Sequence, residues 1–207
     1  MPARRTPCSP VETRSNAVSK GLGDVVGALP LELAKRGHKV MTIAPRYDQY
    51  ADAWDTSITI DVMGEQVRFF HTVEKGVDRV WVDHPAFLAK VWGKTGSMLY
   101  GKQSGADYKD NQKRFAMFCR AAIEAARALP FGPGENCTFV ANDWHSALVP
   151  VLLKDVYQAR GEFTGAKSAL VVHNIAFQGR FWQDSFDETG LPRSSFERFA
   201  FSDGYPM

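Results

Sequence analysis

Apolar residues recur along much of this chain with a helical period. Between positions 108 and 129 they recur at i, i+3 and i+4 spacing, which predicts an amphipathic helix closed by Pro130. A similar pattern covers 144–160 and is followed by Gly161, a residue typical of helix C-termini. A third, shorter pattern predicts a helix over 25–36. The longest of these segments indicate that helices form a large part of the fold.

Short apolar runs predict the strands. They are rich in β-branched and aromatic residues, and they lie at 38–44, 67–73, 77–82, 137–141 and 166–172. Only Glu74-Lys75-Gly76 separates the second run from the third, which predicts a hairpin. In the second half strands alternate with helices, a pattern typical of βαβ units. The sequence therefore predicts an α/β fold with a mostly parallel sheet flanked by helices, and loop with short helix after Gly179.

Composition and charge narrow the classes of partner. The 207 residues are 44% hydrophobic and 23% charged, close to globular averages, and the net charge is only +2. That charge favours neither nucleic acid nor an anionic membrane as a partner. No apolar run approaches the roughly 20 residues of a membrane span. The three cysteines have unrelated spacings and no paired histidines nearby, so no metal site is expected.

The N-terminal segment differs in composition from the remainder. Residues 1–20 contain four basic side chains, one acid and three prolines, with several Ser and Thr. A plastid transit peptide and a disordered leader explain that composition equally well. We therefore divide the chain into a leader over 1–18 and one domain over 19–207.

A glycine-rich stretch, Gly21-Leu22-Gly23, directly precedes the first predicted helix. Glycines at such a place let backbone N–H groups and the helix dipole meet an anion, so the stretch predicts an anion-binding loop. It does not follow a strand, as a dinucleotide-binding fingerprint must. Asp24 is predicted to cap the helix.

Five motifs, in order along the chain, together resemble one enzyme family, the ADP-glucose-dependent starch and glycogen synthases. They are Ser19-Lys20-Gly21-Leu22-Gly23-Asp24-Val25, Ala44-Pro45-Arg46-Tyr47, Tyr108-Lys109-Asp110-Asn111, Asn142-Asp143-Trp144-His145 and His173-Asn174-Ile175-Ala176-Phe177-Gln178-Gly179. The segments 47–57 and 82–101 further resemble the granule-bound branch of plants and algae. The resemblance covers roughly residues 18–205.

The resemblance implies a fold and an activity. The fold is of the GT-B type, in which two Rossmann-like domains face each other across a cleft. This chain corresponds to the N-terminal, acceptor-side domain, truncated, and the second GT-B domain has no counterpart in it. The implied activity is transfer of glucose, with retention, from ADP-glucose to the non-reducing end of an α-1,4-glucan. ADP-glucose is the donor substrate and no cofactor is implied.

The same resemblance implies a plastid location and association with starch granules. Without the donor-binding domain the isolated chain is expected to be nearly inactive, because groups that stabilise a transition state act as a unit. Two alternatives remain open: a non-catalytic glucan-binding or regulatory fragment, and an incomplete gene product.

The resemblance also implies site residues. Asp143 and His173 follow predicted strands, at the carboxyl ends where ligands collect in α/β sheets. The expected catalytic residues are His173, Asp143 and Asp24. The expected substrate-binding residues are Lys20, Gly21, Gly23, Tyr108, Asn111, His145, Asn174 and Gln178.

The chain departs from the family pattern before Asp24. In the family, a buried strand runs into a loop of the form Lys-Thr-Gly-Gly-Leu-Gly, whereas here Lys20 is followed directly by Gly21 and the preceding segment is polar. A polar segment does not replace a central parallel strand. We therefore predict a marginally stable domain in which Lys20 is poorly placed for phosphate.

Overall fold

The computed structural model of the chain describes residues 20–91, 98–103 and 106–200. The predicted leader over 1–18 lies outside this range. The structure describes only the helical backbone at Lys20 and Gly21. Their predicted contacts with substrate therefore stay predictions.

The larger sheet has four strands in the order β1-β4-β3-β2. Their bounds are β1 Val40–Pro45, β2 Trp54–Val62, β3 Glu65–Glu74 and β4 Val77–Asp83. Strands β1 and β4 are parallel, whereas β3 is antiparallel to both β2 and β4. A second sheet contains the parallel strands β5, Thr138–Asn142, and β6, Lys167–Val171. The α/β class is confirmed, but the larger sheet is mixed rather than mostly parallel.

Two tight turns produce the antiparallel part. Lys75 and Gly76 join β3 to β4 with φ of 50° and 82°, and Met63 and Gly64 join β2 to β3 with φ of 58° and 79°. Two residues with positive φ are what a type I′ hairpin turn requires. The predicted hairpin is therefore confirmed, and the β2–β3 hairpin is one that the sequence analysis did not predict.

The three predicted helices are present in the described range, together with a short helix that was not predicted. They are α1 Lys20–Lys35, α2 Leu88–Val91, α3 Asn111–Ala128 and α4 Leu148–Leu152. The single helix predicted over 144–160 is a composite, in which 3₁₀ turns at Trp144–Ser146 and Gln158–Arg160 flank α4 and a π-helical turn at Leu153–Tyr157. Gly161 ends it with φ 81°. Short 3₁₀ helices at Gln183–Thr189 and Arg193–Arg198 follow β6.

Helix α1 begins earlier than predicted. Gly21 and Gly23 lie within its first turn rather than in a loop, and Asp24 lies inside the helix rather than at its N-cap. Both expectations are therefore corrected. Pro30 lies within the helix and has no N–H, so the carbonyl of Val26 lacks its usual helical donor. The Arg79 side chain of β4 donates to that carbonyl at 3.5 Å.

The core forms where α3 packs on the larger sheet and on α4. Thirteen residues of α3 are buried, and the inward side chains of β3 and β4 are completely enclosed, as Val67, Phe69 and Val82 at 0% exposure show. Phe163, which follows α4, is equally enclosed. This packing accounts for the apolar spacing of α3.

The smaller sheet is far more exposed. All five residues of β6 are exposed, and Val140 of β5 is 49% exposed. Among the described strands, β1 pairs only with β4 and β5 only with β6, so one edge of each is unpaired. None of the helices that the structure describes is long and apolar enough to cross a membrane.

Candidate functional site

Asp143 joins the ends of β5 and β6. Its Oδ1 accepts the backbone N–H groups of His173 at 2.7 Å and Asn174 at 3.3 Å. Its own N–H donates to the carbonyl of Val171 at 2.9 Å. The carboxylate therefore holds the loop after β6 against the end of β5, which is the sheet edge where ligands bind in α/β folds.

The backbone of Asp143 is itself unusual. Its φ of 54° and ψ of −176° lie in a region that is occupied almost only by glycine, and the residue is 9% exposed. Strain of this kind costs about 1–3 kcal/mol and persists only where surrounding contacts impose it. Here the three hydrogen bonds impose it, and the carboxylate is fixed in place.

The His173 ring is oriented by Asn142. His173 Nε2 lies 2.9 Å from Asn142 Oδ1, while Asn142 Nδ2 donates to the carbonyl of Val140 at 3.2 Å. Because the amide oxygen only accepts, Nε2 carries a proton in this contact. With the proton there, a neutral ring presents Nδ1 as an acceptor, which suits a sugar hydroxyl.

Beyond His173 the loop turns over Trp144. Asn174 Oδ1 accepts the N–H of Ala176 at 3.0 Å, and Gln178 Nε2 donates to the carbonyl of Ile175 at 3.1 Å. Gln178 is exposed and Asn174 is half-buried, so both predicted binding residues are accessible. Gly179 has φ 61°, and a Cβ there would lie 2.6 Å from the Trp144 ring. Trp144 is thus covered by the loop.

His145 lies in an aromatic cluster. Its ring centroid is 4.3 Å from that of Tyr100, 4.9 Å from Phe115 and 4.0 Å from Trp144, and its Nε2 is buried without a hydrogen-bond partner. The pKa of His145 is lowered to about 4, chiefly by burial, while the negative charge of Asp143 opposes the shift and the positive charge of Arg114 adds to it. The neutral ring therefore packs among aromatic side chains, and its predicted contact with substrate stays a prediction.

Asn111 is also buried. At 0% exposure, its Nδ2 donates to the carbonyl of Tyr100 at 2.7 Å and its Oδ1 accepts from Arg114 at 2.6 Å. Both ends of its amide are thus engaged within the domain, and the predicted contact of Asn111 with substrate stays a prediction. Tyr108 is half-buried, and its hydroxyl donates to the carbonyl of Met98 at 3.0 Å.

Arg114 is the residue that the sequence analysis missed. Its guanidinium is 1% exposed, and it donates to the carbonyls of Ala86 at 2.8 Å and Leu99 at 3.2 Å as well as to Asn111. It thus ties two loops to the N-terminal end of α3. Its signal in the sequence is a polar residue within the apolar stripe of a helix, three positions after Asn111.

Asp24 lies apart from this cluster in the described contacts. It is exposed, and α1 packs on β1 and β4 rather than on β5. The arrangement at the end of β5 and β6 thus contains Asn142, Asp143 and His173, with Asn174 and Gln178 on the loop that follows. In the described part of the chain no group of acidic, His and Cys side chains could hold a metal ion.

This architecture, an α/β domain with hydrogen-bonding groups fixed at the carboxyl ends of parallel strands, is typical of enzymes and binding proteins for small polar ligands. The family model for the starch synthase catalytic domain matches residues 12–205. The chain belongs to that family.

Individual relatives agree with the family. The chain is 56% identical over 197 residues to a granule-bound starch synthase 1, chloroplastic/amyloplastic, of Ipomoea batatas, and 55% identical to that of Arabidopsis thaliana. Each alignment covers 89% of this chain and 32% of the relative, so the chain spans about a third of their length.

Solved structures also match this chain. The catalytic domain of starch synthase IV from Arabidopsis thaliana, bound to ADP and acarbose, matches with a TM-score of 0.66 and 27% identity. The match covers 83% of this chain and 34% of that structure. The resemblance from the five motifs is therefore confirmed at the level of family and fold.

Proposed function

We propose that this chain is the acceptor-side part of a starch synthase, which transfers glucose from ADP-glucose to the non-reducing end of an α-1,4-glucan with retention. The observation that carries the proposal is the family match over residues 12–205 together with the fixed Asn142, Asp143 and His173 at the sheet edge. The relatives are chloroplastic or amyloplastic, which supports a plastid location. Association with starch granules is part of the same proposal.

The reaction breaks the bond between glucose C1 and the diphosphate and forms a bond from C1 to the acceptor hydroxyl. The hydroxyl proton passes to the departing phosphate. Fixed hydrogen-bonding groups contribute to such a step by stabilising charge as it develops. In this proposal His173 contacts the transferred glucose through Nδ1 and its backbone carbonyl. The hydrogen bonds of Asp143 and Asn142 to His173 support that role, because they hold the loop and the ring in place. ADP-glucose is the donor substrate, and the proposal includes no cofactor.

The experiment is a chimera with the sweet-potato relative. The relative keeps its own first strand and loop and everything after its matched region, and residues 24–200 come from this chain. We expect incorporation of labelled glucose from ADP-glucose into malto-oligosaccharide. Replacing His173→Ala in the chimera is expected to lower kcat by about 100-fold or more, because a charge-stabilising contact contributes roughly 3 kcal/mol.

The isolated chain provides the control. These 207 residues are expected to show little or no transfer in the same assay, since they span about a third of the relatives' length. A chimera that unfolds at the same temperature as the relative yet transfers no glucose would contradict the proposal. Its binding of malto-oligosaccharide without turnover would instead support a non-catalytic glucan-binding role.

A further inference from the structure

The hydroxyl of Ser146 holds the backbone of the last residue of β5. Ser146 belongs to the 3₁₀ turn Trp144–Ser146, which begins two residues after that strand ends. Its Oγ accepts the backbone N–H of Asn142 at 2.6 Å and donates to the carbonyl of Asn142 at 2.8 Å. A hydroxyl group has one proton to donate, so these two bonds together fix its orientation. One side chain therefore holds both backbone polar groups of Asn142.

The two bonds lie on the edge of β5 that pairs with no described strand. The N–H of Asp143 donates to the carbonyl of Val171 and so points towards β6. Successive residues of a parallel strand direct their backbone groups to alternate sides, so those of Asn142 point away from β6. Among the described strands, β5 pairs only with β6. Ser146 thus supplies at this edge the hydrogen bonds that a neighbouring strand supplies inside a sheet.

The side chain of Asn142 extends this fixed position to the ring of His173. Its Nδ2 donates to the carbonyl of Val140 at 3.2 Å, and its Oδ1 lies 2.9 Å from His173 Nε2. The contact with Val140 determines which end of the amide faces the ring, because a carbonyl only accepts hydrogen bonds. The amide oxygen therefore faces the ring, and the ring nitrogen opposite it carries a proton.

The other degrees of freedom of His173 are held by Asp143. The Oδ1 of Asp143 accepts the backbone N–H of His173 at 2.7 Å. Once the backbone is held, the freedom that remains is rotation of the side chain, and the contact with Asn142 limits that rotation. Asp143 thus positions the backbone of His173, while Ser146 and Asn142 together position its ring.

We propose that Ser146 is a positioning residue for the transfer reaction. By holding Asn142 it keeps the proton of the His173 ring on Nε2, so that Nδ1 accepts a hydroxyl of the transferred glucose. The role of Nδ1 rests on the proposed function, whereas the hold of Ser146 on the ring does not. Ser146 acts through Asn142 and does not contact substrate: it limits the orientations of a ring that has to be aligned before the reaction begins.

The first measurement determines which ring nitrogen carries the proton. In the nitrogen-15-labelled chain of 207 residues, the shifts of both ring nitrogens are compared for His173 and for the exposed His38, at a pH where the rings are neutral. We expect a protonated Nε2 and an unprotonated Nδ1 at His173, and the averaged shifts of two tautomers at His38. In Ser146→Ala the His173 shifts should move at least halfway towards those of His38. Ser146→Thr keeps the hydroxyl and should restore the wild-type shifts.

The second measurement is the rate of glucose transfer by the chimera with the sweet-potato relative. We expect Ser146→Ala to lower kcat about fivefold, because a misaligned His173 loses a contact that contributes in the transition state. The KM for malto-oligosaccharide should stay unchanged, and Ser146→Thr should recover most of the rate. A loss of folded protein alone would lower the rate without moving the ring shifts of the folded fraction.

Two further variants keep the result interpretable. Ser195→Ala removes a buried hydroxyl that donates to Asp155 at 2.8 Å, outside the contacts of Asn142 and His173. It controls for a general loss of stability and should leave both the ring shifts and kcat unchanged. If Ser146→Ala does not fold, Ser146→Cys replaces it, because the thiol is similar in shape but is only a weak donor and acceptor. We expect about half of the alanine effect on the ring shifts from this weaker hydrogen bonding.

The outcomes separate this inference from the proposed function. Ring shifts of His173 that are the same in Ser146→Ala as in wild type overturn the inference, whatever happens to kcat. Altered ring shifts with unchanged kcat support the hold of Ser146 on the ring and overturn the proposed contact of His173 with glucose. An unaltered chimera that folds but transfers no glucose contradicts the proposed function, while the ring shifts still test the hold of Ser146 on His173.

Discussion

The two sheets of this chain differ in how deeply their residues are buried. In the larger sheet, β4 has a neighbour on both sides, and its inward residues Val80 and Val82 are at most 1% exposed. In the smaller sheet, Leu170 and Val171 of β6 are 48% and 38% exposed, and β6 has one described neighbour. The candidate functional residues Asp143 and His173 follow the strands of the exposed sheet.

This difference in burial predicts that the larger sheet and the edge with the candidate residues differ in their free energy of local opening. Segments with few buried apolar contacts open locally at a lower free energy than the core does. The loop after β6 is held to β5 mainly through the carboxylate of Asp143. Its geometry thus depends on a few polar contacts rather than on apolar packing.

Hydrogen exchange should separate the two sheets most clearly. We expect amides of β6, Lys167–Val171, to exchange about a thousandfold faster than those at Val80 and Val82, which corresponds to about 4 kcal/mol. The physical reason is that β6 opens without disrupting α3. Uniform protection across both sheets, measured by mass spectrometry or NMR, would rule out this difference.

A variant with an added N-terminal strand tests whether the unpaired strand edges cause this difference in exchange. Replacing the first 20 residues by a hydrophobic strand and the full family-like loop should supply a neighbour for the unpaired edges of β1 and β5. We expect protection to rise at 40–43 and at 170–172 and to change little in β3. Equal protection in both proteins would show that an added strand does not matter.

The pH dependence of the unfolding free energy should report the lowered pKa of His145. Its pKa is lowered to about 4, chiefly by burial, against roughly 6.5 for an unfolded histidine. As pH falls from 7 to 5 the unfolded state takes up the proton and the folded state does not, so stability should fall by about 2 kcal/mol. His145→Phe should remove that loss in urea unfolding at the two pH values.

The matched control is the exposed His38. His38→Phe should leave the loss on acidification unchanged. If wild type and His145→Phe lose the same free energy between pH 7 and pH 5, the ring of His145 is protonated in the folded protein, and its assignment to the interior fails.

The smallest expected effect concerns the contact between the exposed loop and Trp144. Gly179→Ala meets the Trp144 ring and also places alanine at φ 61°. Gly134→Ala also places alanine at a positive φ, here 77°, but its added Cβ has no atom within 4 Å. We expect Gly179→Ala to destabilise by about 1–2 kcal/mol more than Gly134→Ala in thermal unfolding. Equal costs would show that the loop moves freely over Trp144.

Much of the fold was predictable where one physical signal dominated. The apolar stripe of α3 and the Lys75-Gly76 turn were both predicted because burial and positive φ restrict the residue types allowed. Strand β2 was missed since its residues alternate between exposed and half-buried, so no continuous apolar run marks it. The start of α1 was misplaced because its glycines suggest a loop although they lie in a helix.

The sequence predicted which candidate residues lie together but not the burial and contacts of the others. Motif resemblance brought Asp143, His173 and Asn174 to one sheet edge, and the structure places them together there. The burial of Asn111 and His145 depends on tertiary packing around Arg114, which a linear pattern does not reveal. The predicted catalytic roles of His173, Asp143 and Asp24 stay predictions.

The sheet topology also has a consequence for the order in which the chain folds. Strands β2, β3 and β4 are joined by two-residue turns, so their contacts are local in sequence and cost little loop-closure entropy. Strand β6 pairs with β5 only after the whole segment between Asn142 and Lys167 has crossed over. We expect the three-strand meander to form first, with the loop that carries His173 ordered last. During synthesis, the meander would then exist before the sheet edge that carries the candidate residues.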